Sequence, residues 1–252
     1  MESVNILGLN ISNLNTSETL EVINKSIKER KGITIFTPNT NFVVNSVKQP
    51  YLNAVLNKAD YLVPDGMPLV WASRFFKNPL KEKVSGSSLF FLICELAAKN
   101  NYSLYFLGGN VGVAEKAATE LRNKYSGIKI LDTYYAPIGF EDDQVESDKI
   151  IKELNEKKPD ILIIGLGKFQ GERWLIKHKH EFKTFLNIQL GGSFTFAAGL
   201  KKMPPDWVKR KGFGWLWRLV EEPKRHWKRY LLEDMNFFYY IFMQKYFKKN
   251  TD

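Results

Sequence analysis

Short apolar runs and longer amphipathic stretches alternate along most of the chain. The runs at 33–35, 104–107 and 160–165 are typical of buried strands, and the last is apolar enough for the centre of a sheet. Other stretches carry apolar residues at helical spacing, as in 17–30. This alternation predicts an α/β fold with an open, mostly parallel, Rossmann-like sheet and helices on both faces.

The same patterns predict the remaining elements. Four more strands are predicted, at 4–7, 61–63, 128–131 and 188–190. The further helices are predicted at 40–58 with a break at Pro50, and at 69–76, 89–99, 114–121, 141–157 and 172–182. Ser87 or Ser88 is expected to cap the helix at 89–99, because serine is a preferred N-cap residue.

Polar residues directly follow two of the predicted strands. Thr37 and Asn39 come after one strand, and Asp65 comes after the strand at 61–63. In open parallel sheets, ligands bind outside the carboxyl ends of the strands, so these side chains are expected at one functional edge. The alternative is an ordinary turn at Asp65-Gly66, which this pair taken alone favours.

Glycine-rich turns follow three further strands. A single turn of this kind is usually a tight connection, whereas three at one edge favour a nucleotide or sugar-nucleotide site, because a helix N-terminus attracts phosphate. The pattern is neither a dinucleotide-binding fingerprint nor a P-loop, so no nicotinamide cofactor, and no other cofactor, is expected. The glycines with a predicted binding role are Gly108, Gly109, Gly167, Gly191 and Gly192.

Charge separates the C-terminal end from the rest of the chain. The 252 residues carry a formal net charge of +10, which predicts an anionic partner. Residues 200–252 hold 13 Lys and Arg against 6 Asp and Glu, together with four of the six tryptophans. The prolines of Met203-Pro204-Pro205 form a natural hinge. We therefore predict a catalytic α/β domain at 1–198 and a basic, aromatic, membrane-associating appendage at 199–252.

Three arginines of the appendage share one helical face. Arg218, Arg225 and Arg229 are spaced by seven and four residues, which places them on one side of a helix. Such a face suits a diphosphate, because guanidinium binds phosphate in bidentate fashion, and it also suits an anionic bilayer. Single-stranded nucleic acid is the alternative partner. We rank membrane and phosphate first and expect no nucleic-acid partner.

The sequence lacks patterns for a metal site or a membrane span. It has no Asp-x-Asp pair, and its three histidines and Cys94 do not form a ligand set, so no metal is expected. Residues 1–10 do not resemble a signal peptide, and the apolar run at 237–243 is too short to cross a bilayer. We expect a cytoplasmic protein that is peripheral on the inner face of the cell membrane. Its oligomeric state is open, with a homo-oligomer in solution as one alternative.

The order of these motifs resembles a known family over nearly the whole chain. The sequence is similar to the WecG/TagA/CpsF glycosyltransferases. The segments that carry the resemblance are Thr37-Pro38-Asn39, Pro64-Asp65-Gly66, Phe106-Leu107-Gly108-Gly109, Gly165-Leu166-Gly167 with Glu172-Arg173-Trp174, Gly191-Gly192-Ser193-Phe194, and Trp215-Leu216-Trp217-Arg218-Leu219 with Glu222-Pro223.

The resemblance implies an inverting sugar transfer that needs no metal. The donor would be a UDP-sugar and the acceptor a lipid-diphosphate-linked sugar, undecaprenyl-diphosphate-linked N-acetylglucosamine. The expected reaction transfers N-acetylmannosamine in wall teichoic acid linkage-unit synthesis, with its uronic acid or another UDP-sugar as the alternative. The appendage is expected to bring the enzyme to an anionic membrane surface and to complete the active site.

These expectations give roles to individual residues. Inversion needs a base at the attacking hydroxyl, and Asp65 is the candidate, with Thr37 orienting the sugars. Arg218 and Arg225 are expected to offset charge on the leaving UDP. The expected substrate-binding residues are Asn39, Gly108, Gly109, Gly167, Gly191, Gly192 and Arg229.

Two positions depart from the family pattern. Gly171 stands where the family usually has glutamine, and Gln170 lies one place earlier. Gly214 stands where the family usually has glutamate. No role is carried over to either glycine.

Overall fold

A six-stranded parallel sheet forms the centre of the protein. The structure, a computed structural model, describes residues 2–167, 169–205, 207–208, 212–228 and 234–247. The order in the sheet is β4-β3-β8-β7-β5-β6, and each neighbouring pair is parallel. The strands are β1 (Ser3–Ile6), β2 (Leu9–Ser12), β3 (Ile33–Phe36), β4 (Tyr61–Leu62), β5 (Ser103–Gly108), β6 (Lys129–Tyr134), β7 (Ile161–Gly165) and β8 (Leu186–Gln189).

Helices connect the strands and cover the sheet. The described helices are α1 (Thr16–Lys28), α2 (Thr40–Lys48), α3 (Pro50–Leu56), α4 (Met67–Phe75), α5 (Gly86–Asn100), α6 (Val113–Lys124), α7 (Gln144–Lys157), α8 (Gln170–His178), α9 (Ser193–Ala197), α10 (Gly214–Glu221), α11 (Pro223–Lys228) and α12 (Met235–Phe247). The α/β class and the open parallel sheet are confirmed.

Two apolar clusters lie on opposite faces of the sheet. Successive strand residues point to opposite faces. Ile35 of β3 belongs to the cluster that contains α1, α5, α6 and α9, and Phe36 belongs to the cluster that contains α2, α7 and α8. Residues 161–164 of β7 are fully buried because helices cover both faces, as predicted for the centre of the sheet.

The N-terminal segment is a hairpin, whereas the sequence predicted a single strand at 4–7. Strands β1 and β2 pair antiparallel outside the main sheet. The turn residues Leu7 and Gly8 have φ of 53° and 87°, and positive φ at both positions suits the twist of a two-residue hairpin. Leucine is uncommon in this conformation, so the local sequence gives no turn signal.

Helix α5 begins at Gly86, and the prediction that Ser87 or Ser88 caps it is wrong. Ser85 is the N-cap residue, although its side chain makes no capping hydrogen bond. A Cβ atom at Gly86 would lie 3.1 Å from Thr37 Oγ1. Glycine at this position therefore lets the start of α5 approach the end of β3, which the serine pattern did not predict.

The last helix of the appendage is packed into the core. Phe237 and Ile241 of α12 are buried in the same cluster as Phe36. Gln244 Oε1 accepts a hydrogen bond of 2.8 Å from the backbone N–H of Leu7. The division at residue 198 stays a prediction, but α12 is attached to the N-terminal hairpin by apolar and polar contacts.

Candidate active site

A polar cavity of about 290 Å³ opens at the carboxyl ends of β3, β7 and β8. We call it the polar chamber. Strand register aligns these ends, because Phe36 and Ile164 both pair with Gln189. The residues after the three strands, including Thr37 and Leu166, line the chamber. Its location agrees with the general rule that ligands bind at the carboxyl edge of an open sheet.

Thr37 and Asn39 are held where β3 ends and α2 begins. Asn39 is the N-cap residue of α2, and its side-chain oxygen accepts hydrogen bonds from the N–H groups of Asn41 and Phe42 at 3.0 and 3.3 Å. This cap fixes the Asn39 side chain at the cleft. Thr37 and Asn39 both line the polar chamber, as the sequence predicted from their position after the strand.

Asp65 is positioned by the backbone rather than by an isolated turn. Its N–H donates a hydrogen bond of 2.9 Å to the carbonyl oxygen of Pro38, which joins the segment after β4 to the segment after β3. The Cβ position at Gly86 lies 3.1 Å from Thr37 Oγ1 and 3.5 Å from Asp65 Oδ2. The two side chains therefore face the same small space.

A second cavity of about 330 Å³ adjoins the first and is lined mainly by apolar side chains. We call it the apolar chamber, and its apolar lining consists of Met67, Pro68, Trp71, Pro204, Trp215, Met235 and Phe238. Four residues line both chambers, namely Asn39, Asp65, Ser87 and Arg218. The carboxylate and the guanidinium therefore lie where a polar and an apolar compartment meet.

Arg218 is brought to this junction by α10, and an ion pair links the flanking segments. Lys201 forms an ion pair with Glu222, the residue that follows α10. Among the described residues that line the polar chamber, Lys201 and Arg218 are the cations. The acidic residues of the same lining are Asp65, Glu172, Glu221 and Glu222. A diphosphate in this chamber would therefore lie within reach of two positive charges.

The predicted glycines fall into two groups. Gly167, Gly191 and Gly192 line the polar chamber, and a Cβ at any of them would meet nothing within 4 Å. Gly108 and Gly109 are absent from the described lining of both chambers. A Cβ at 108 would lie 2.6 Å from a Leu166 side-chain atom, and one at 109 would lie 3.3 Å from the Phe194 ring. These two glycines permit close packing behind the cleft.

Two predicted arginines cannot be placed. Arg229 lies outside the described residues, and only the backbone of Arg225 is described. Their roles stay predictions.

Sequence reasoning gave no role to Glu172 and Gln189, which both line the polar chamber. Glu172 is only 1% exposed, and burial raises the pKa of its carboxyl group to about 8, opposed by one backbone hydrogen bond. A signal was present, because Glu172 precedes the buried Leu175 by three residues and therefore shares its helical face.

Among the residues that the structure describes, no group of three or more His, Cys, Asp or Glu could hold a metal ion. Within the same residues, no helix has both the length and the apolar character needed to cross a bilayer.

The protein is an α/β protein with a cleft at the carboxyl edge of its parallel sheet, where such folds bind ligands, and comparison with known proteins gives its class. The chain belongs to the glycosyl transferase WecG/TagA/CpsF family, because the model of that family matches residues 4–251. It is therefore a glycosyltransferase, and the resemblance found in its motifs is confirmed.

Similar proteins carry a more specific name. The chain is 27% identical over 233 residues to the N-acetylglucosaminyldiphosphoundecaprenol N-acetyl-beta-D-mannosaminyltransferase of Bacillus subtilis (strain 168), covering 92% of this chain and 88% of that protein. It is 28% identical over 225 residues to the protein of the same name from Staphylococcus aureus (strain MW2), covering 88% of this chain and 86% of that protein.

Proposed function

We propose that this glycosyltransferase moves N-acetylmannosamine from UDP-N-acetylmannosamine to undecaprenyl-diphosphate-linked N-acetylglucosamine, with inversion, in wall teichoic acid linkage-unit synthesis. The observation that carries the proposal is the position of Asp65 and Arg218 at the junction of the two chambers. The names of the relatives support this choice of acceptor and of transferred sugar.

The two chambers suit two different substrates. The polar chamber offers Lys201, Arg218 and the open glycine turn at Gly191-Gly192 to the diphosphate and nucleoside of the donor. The apolar chamber, with Trp71 and Trp215 in its lining, suits the sugar face and lipid end of the acceptor. The transferred sugar would then sit between them, beside Asp65.

Asp65 would act as the general base. The acceptor hydroxyl oxygen attacks the anomeric carbon of the donor, and the bond from that carbon to the β-phosphate oxygen breaks. The hydroxyl proton moves to a carboxylate oxygen of Asp65, and UDP leaves with the electron pair of the broken bond. Thr37 faces the same space as Asp65 and would orient the reacting sugar. A single displacement of this kind inverts the anomeric centre.

Arg218 would stabilise the leaving group. Negative charge grows on the β-phosphate oxygen as the bond breaks, and a guanidinium held nearby offsets it without prior reorganisation. Arg218 lies on α10 and lines both chambers. Lys201 is a second cation in the polar chamber, and its ion pair with Glu222 fixes the distance between the start of the appendage and the end of α10.

The appendage would hold the enzyme on the cytoplasmic face of an anionic membrane. Large apolar side chains are exposed along it, together with the lysines of the same segment, and this combination is typical of surfaces that bind acidic lipid. The exposed residues are Leu200, Trp207, Phe213, Trp215, Leu216, Val220, Trp227, Met235, Phe238, Tyr239, Phe242, Tyr246 and Phe247. The apolar chamber includes three of these side chains and would thus lie close to the bilayer.

Direct assay of the reaction tests the proposal. The full chain is incubated with a short-chain lipid-diphosphate N-acetylglucosamine and, in separate reactions, UDP-N-acetylmannosamine or its uronic acid. Mass spectrometry should detect the disaccharide from the first donor, and NMR should show the inverted anomeric configuration. Product formed only from the uronic acid would show that UDP-N-acetylmannosaminuronic acid is the donor. A retained anomeric configuration would overturn the inverting mechanism. Binding of an oligonucleotide without turnover of either donor would favour the nucleic-acid alternative.

A further inference from the structure

Glu172 is a buried acid at the floor of the polar chamber. It lies in the first turn of α8, is 1% exposed and lines the cavity. Its Oε2 atom has no hydrogen-bond partner among the described residues. An unpaired polar atom in a buried position is destabilising, and the residue that carries it lines a cavity in which a ligand can supply a partner.

The helical turn that carries this acid packs closely against the sheet. Gly171 allows α8 to approach the sheet, because a Cβ there would lie 2.9 Å from both Gln189 Cδ and Ile164 Cγ2. Gln189 is itself fixed, since its Nε2 donates a hydrogen bond of 2.5 Å to the carbonyl oxygen of Leu166. The side-chain amide of Gln189 therefore occupies the space above Gly171 and forms the floor of the chamber next to Glu172.

The charged groups around Glu172 leave it without an ion-pair partner among the described residues. Arg173, the next residue on α8, is directed to the segment before α7, where its Nη2 lies 2.8 Å from Asp142 and its Nη1 lies 3.8 Å from Glu141. Across the cavity, Lys201 pairs with Glu222. The other charged groups that line the chamber are Asp65, Arg218 and Glu221. Burial without a paired cation raises the pKa of the Glu172 carboxyl to about 8, so the neutral acid predominates at pH 7.

We infer that the Glu172 carboxyl group donates a hydrogen bond to a carbonyl oxygen of the bound sugar nucleotide and accepts one from the adjacent N–H. The inference rests on the proposed function, because it takes a UDP-N-acetylhexosamine as the ligand. A neutral carboxyl group presents one donor and one acceptor side by side, which complements an O=C–N–H edge. Two parts of the donor carry such an edge, namely the uracil base and the acetamido group. Glu172 is thus a specificity-determining residue that recognises an uncharged amide or imide.

Nucleotide binding as a function of pH tests the inference. We would measure the affinity of the full-length protein for UDP-N-acetylmannosamine by calorimetry at pH 6.5 and pH 8.5, since in this range the diphosphate diester does not titrate and the uracil imide keeps its proton. The wild type should bind about fourfold more weakly at pH 8.5, because only about a quarter of a group with a pKa near 8 keeps its proton there. Glu172→Gln should bind equally at both pH values, since its amide retains a donor and an acceptor. Glu120→Gln, the same change on the exposed face of α6, should keep the wild-type dependence.

The outcomes separate this inference from the function on which it rests. A wild type with the same affinity at both pH values, or a Glu172→Gln variant that keeps the fourfold change, would overturn the role of Glu172 alone. A folded Glu172→Gln protein that binds nothing at pH 6.5 would also contradict it. A wild type that binds no UDP-sugar at either pH would overturn the proposed function. UDP-mannose, which keeps uracil but lacks the acetamido group, shows which of the two edges Glu172 binds. If its binding keeps the pH dependence, the edge is that of uracil, and if the dependence is lost, the edge is that of the acetamido group.

Discussion

The backbone N–H of Asp65 donates a hydrogen bond to the carbonyl oxygen of Pro38. This bond connects two segments that follow neighbouring strands, β4 and β3, and brings the Asp65 carboxylate to the side of Thr37. Both side chains are close to the same point above Gly86. The proposed base and the proposed orienting hydroxyl are therefore positioned by the sheet edge, while Arg218 reaches the cleft from α10.

Replacing Asp65 with asparagine should remove most of the turnover. The change keeps the shape of the side chain but removes the basic oxygen, and a general base typically contributes about 10²- to 10⁴-fold. Affinity for the UDP-sugar should stay near the wild-type value, measured by calorimetry. Asp148→Asn, the same substitution on the exposed surface of α7, is the control. Near-normal turnover in Asp65→Asn would show that another group accepts the proton.

Arg218→Ala should reduce turnover of a soluble acceptor by about 10²- to 10³-fold, because it removes a charge-stabilising donor at the leaving group. Arg218→Lys should recover only part of this loss, since lysine cannot form the bidentate contact. Lys224→Ala removes one charge from the same appendage at a position outside both chambers and should leave turnover unchanged. All three variants should sediment with anionic vesicles like the wild type. A proportional loss of vesicle binding and turnover would mean that Arg218 acts only as part of the membrane contact.

Gly86→Ala should lower turnover by about tenfold, because the added methyl group would press on Thr37 Oγ1 at 3.1 Å and displace the reacting groups. Ser88→Ala is the control, since Ser88 lies in the same turn of α5 but outside the described lining of both chambers. Measurement of kcat and KM for the two variants checks this prediction. Equal activity would show that the positions of Thr37 and Asp65 do not depend on the close approach of α5.

Glu172 should make the protein less stable as the pH rises. Its pKa is about 8 in the folded state and 4.5 as the unperturbed value, so the folded state binds the proton more tightly. The contribution of this proton to the free energy of unfolding is fully present below pH 4.5. It declines between pH 4.5 and pH 8, by about 1.4 kcal/mol per pH unit. Glu172→Gln should remove the decline, so its free energy of unfolding relative to the wild type should rise by on the order of 4 kcal/mol from pH 5 to pH 8. Urea denaturation measures the free energy of unfolding of the wild type and of Glu172→Gln at each pH. If the two free energies change in parallel with pH, the raised pKa of Glu172 is contradicted.

Turnover should continue at an unchanged rate in EDTA. The cations expected to offset the charge of the leaving UDP are Arg218 and Lys201, both in the lining of the polar chamber. The assay follows product by mass spectrometry after the enzyme and substrates have been treated with chelator. Loss of product in EDTA that Mg²⁺ or Mn²⁺ restores would show that a metal ion carries part of this role.

The sequence by itself determined the fold class and the location of three candidate site residues. Alternating strand and helix periods predicted the parallel sheet, because the spacing of apolar residues depends on local geometry. The same reasoning placed Thr37, Asn39 and Asp65 at strand ends, since a residue after a strand in such a sheet must lie at the carboxyl edge. The turn at Leu7 was missed because a leucine with positive φ carries no turn signal.

Only the tertiary structure decided which of these residues meet. Arg218 reaches the cleft from the appendage, Gly108 and Gly109 pack behind it, and Glu172 and Gln189 form its floor. The strand order β4-β3-β8-β7 places residues that are more than 100 positions apart next to one another. Hydrophobic periodicity indicates which side of a helix or strand is buried, but it does not indicate which other element packs against that side. The burial that raises the pKa of Glu172 is therefore a property of the folded protein, created when α8 packs against β7 and β8.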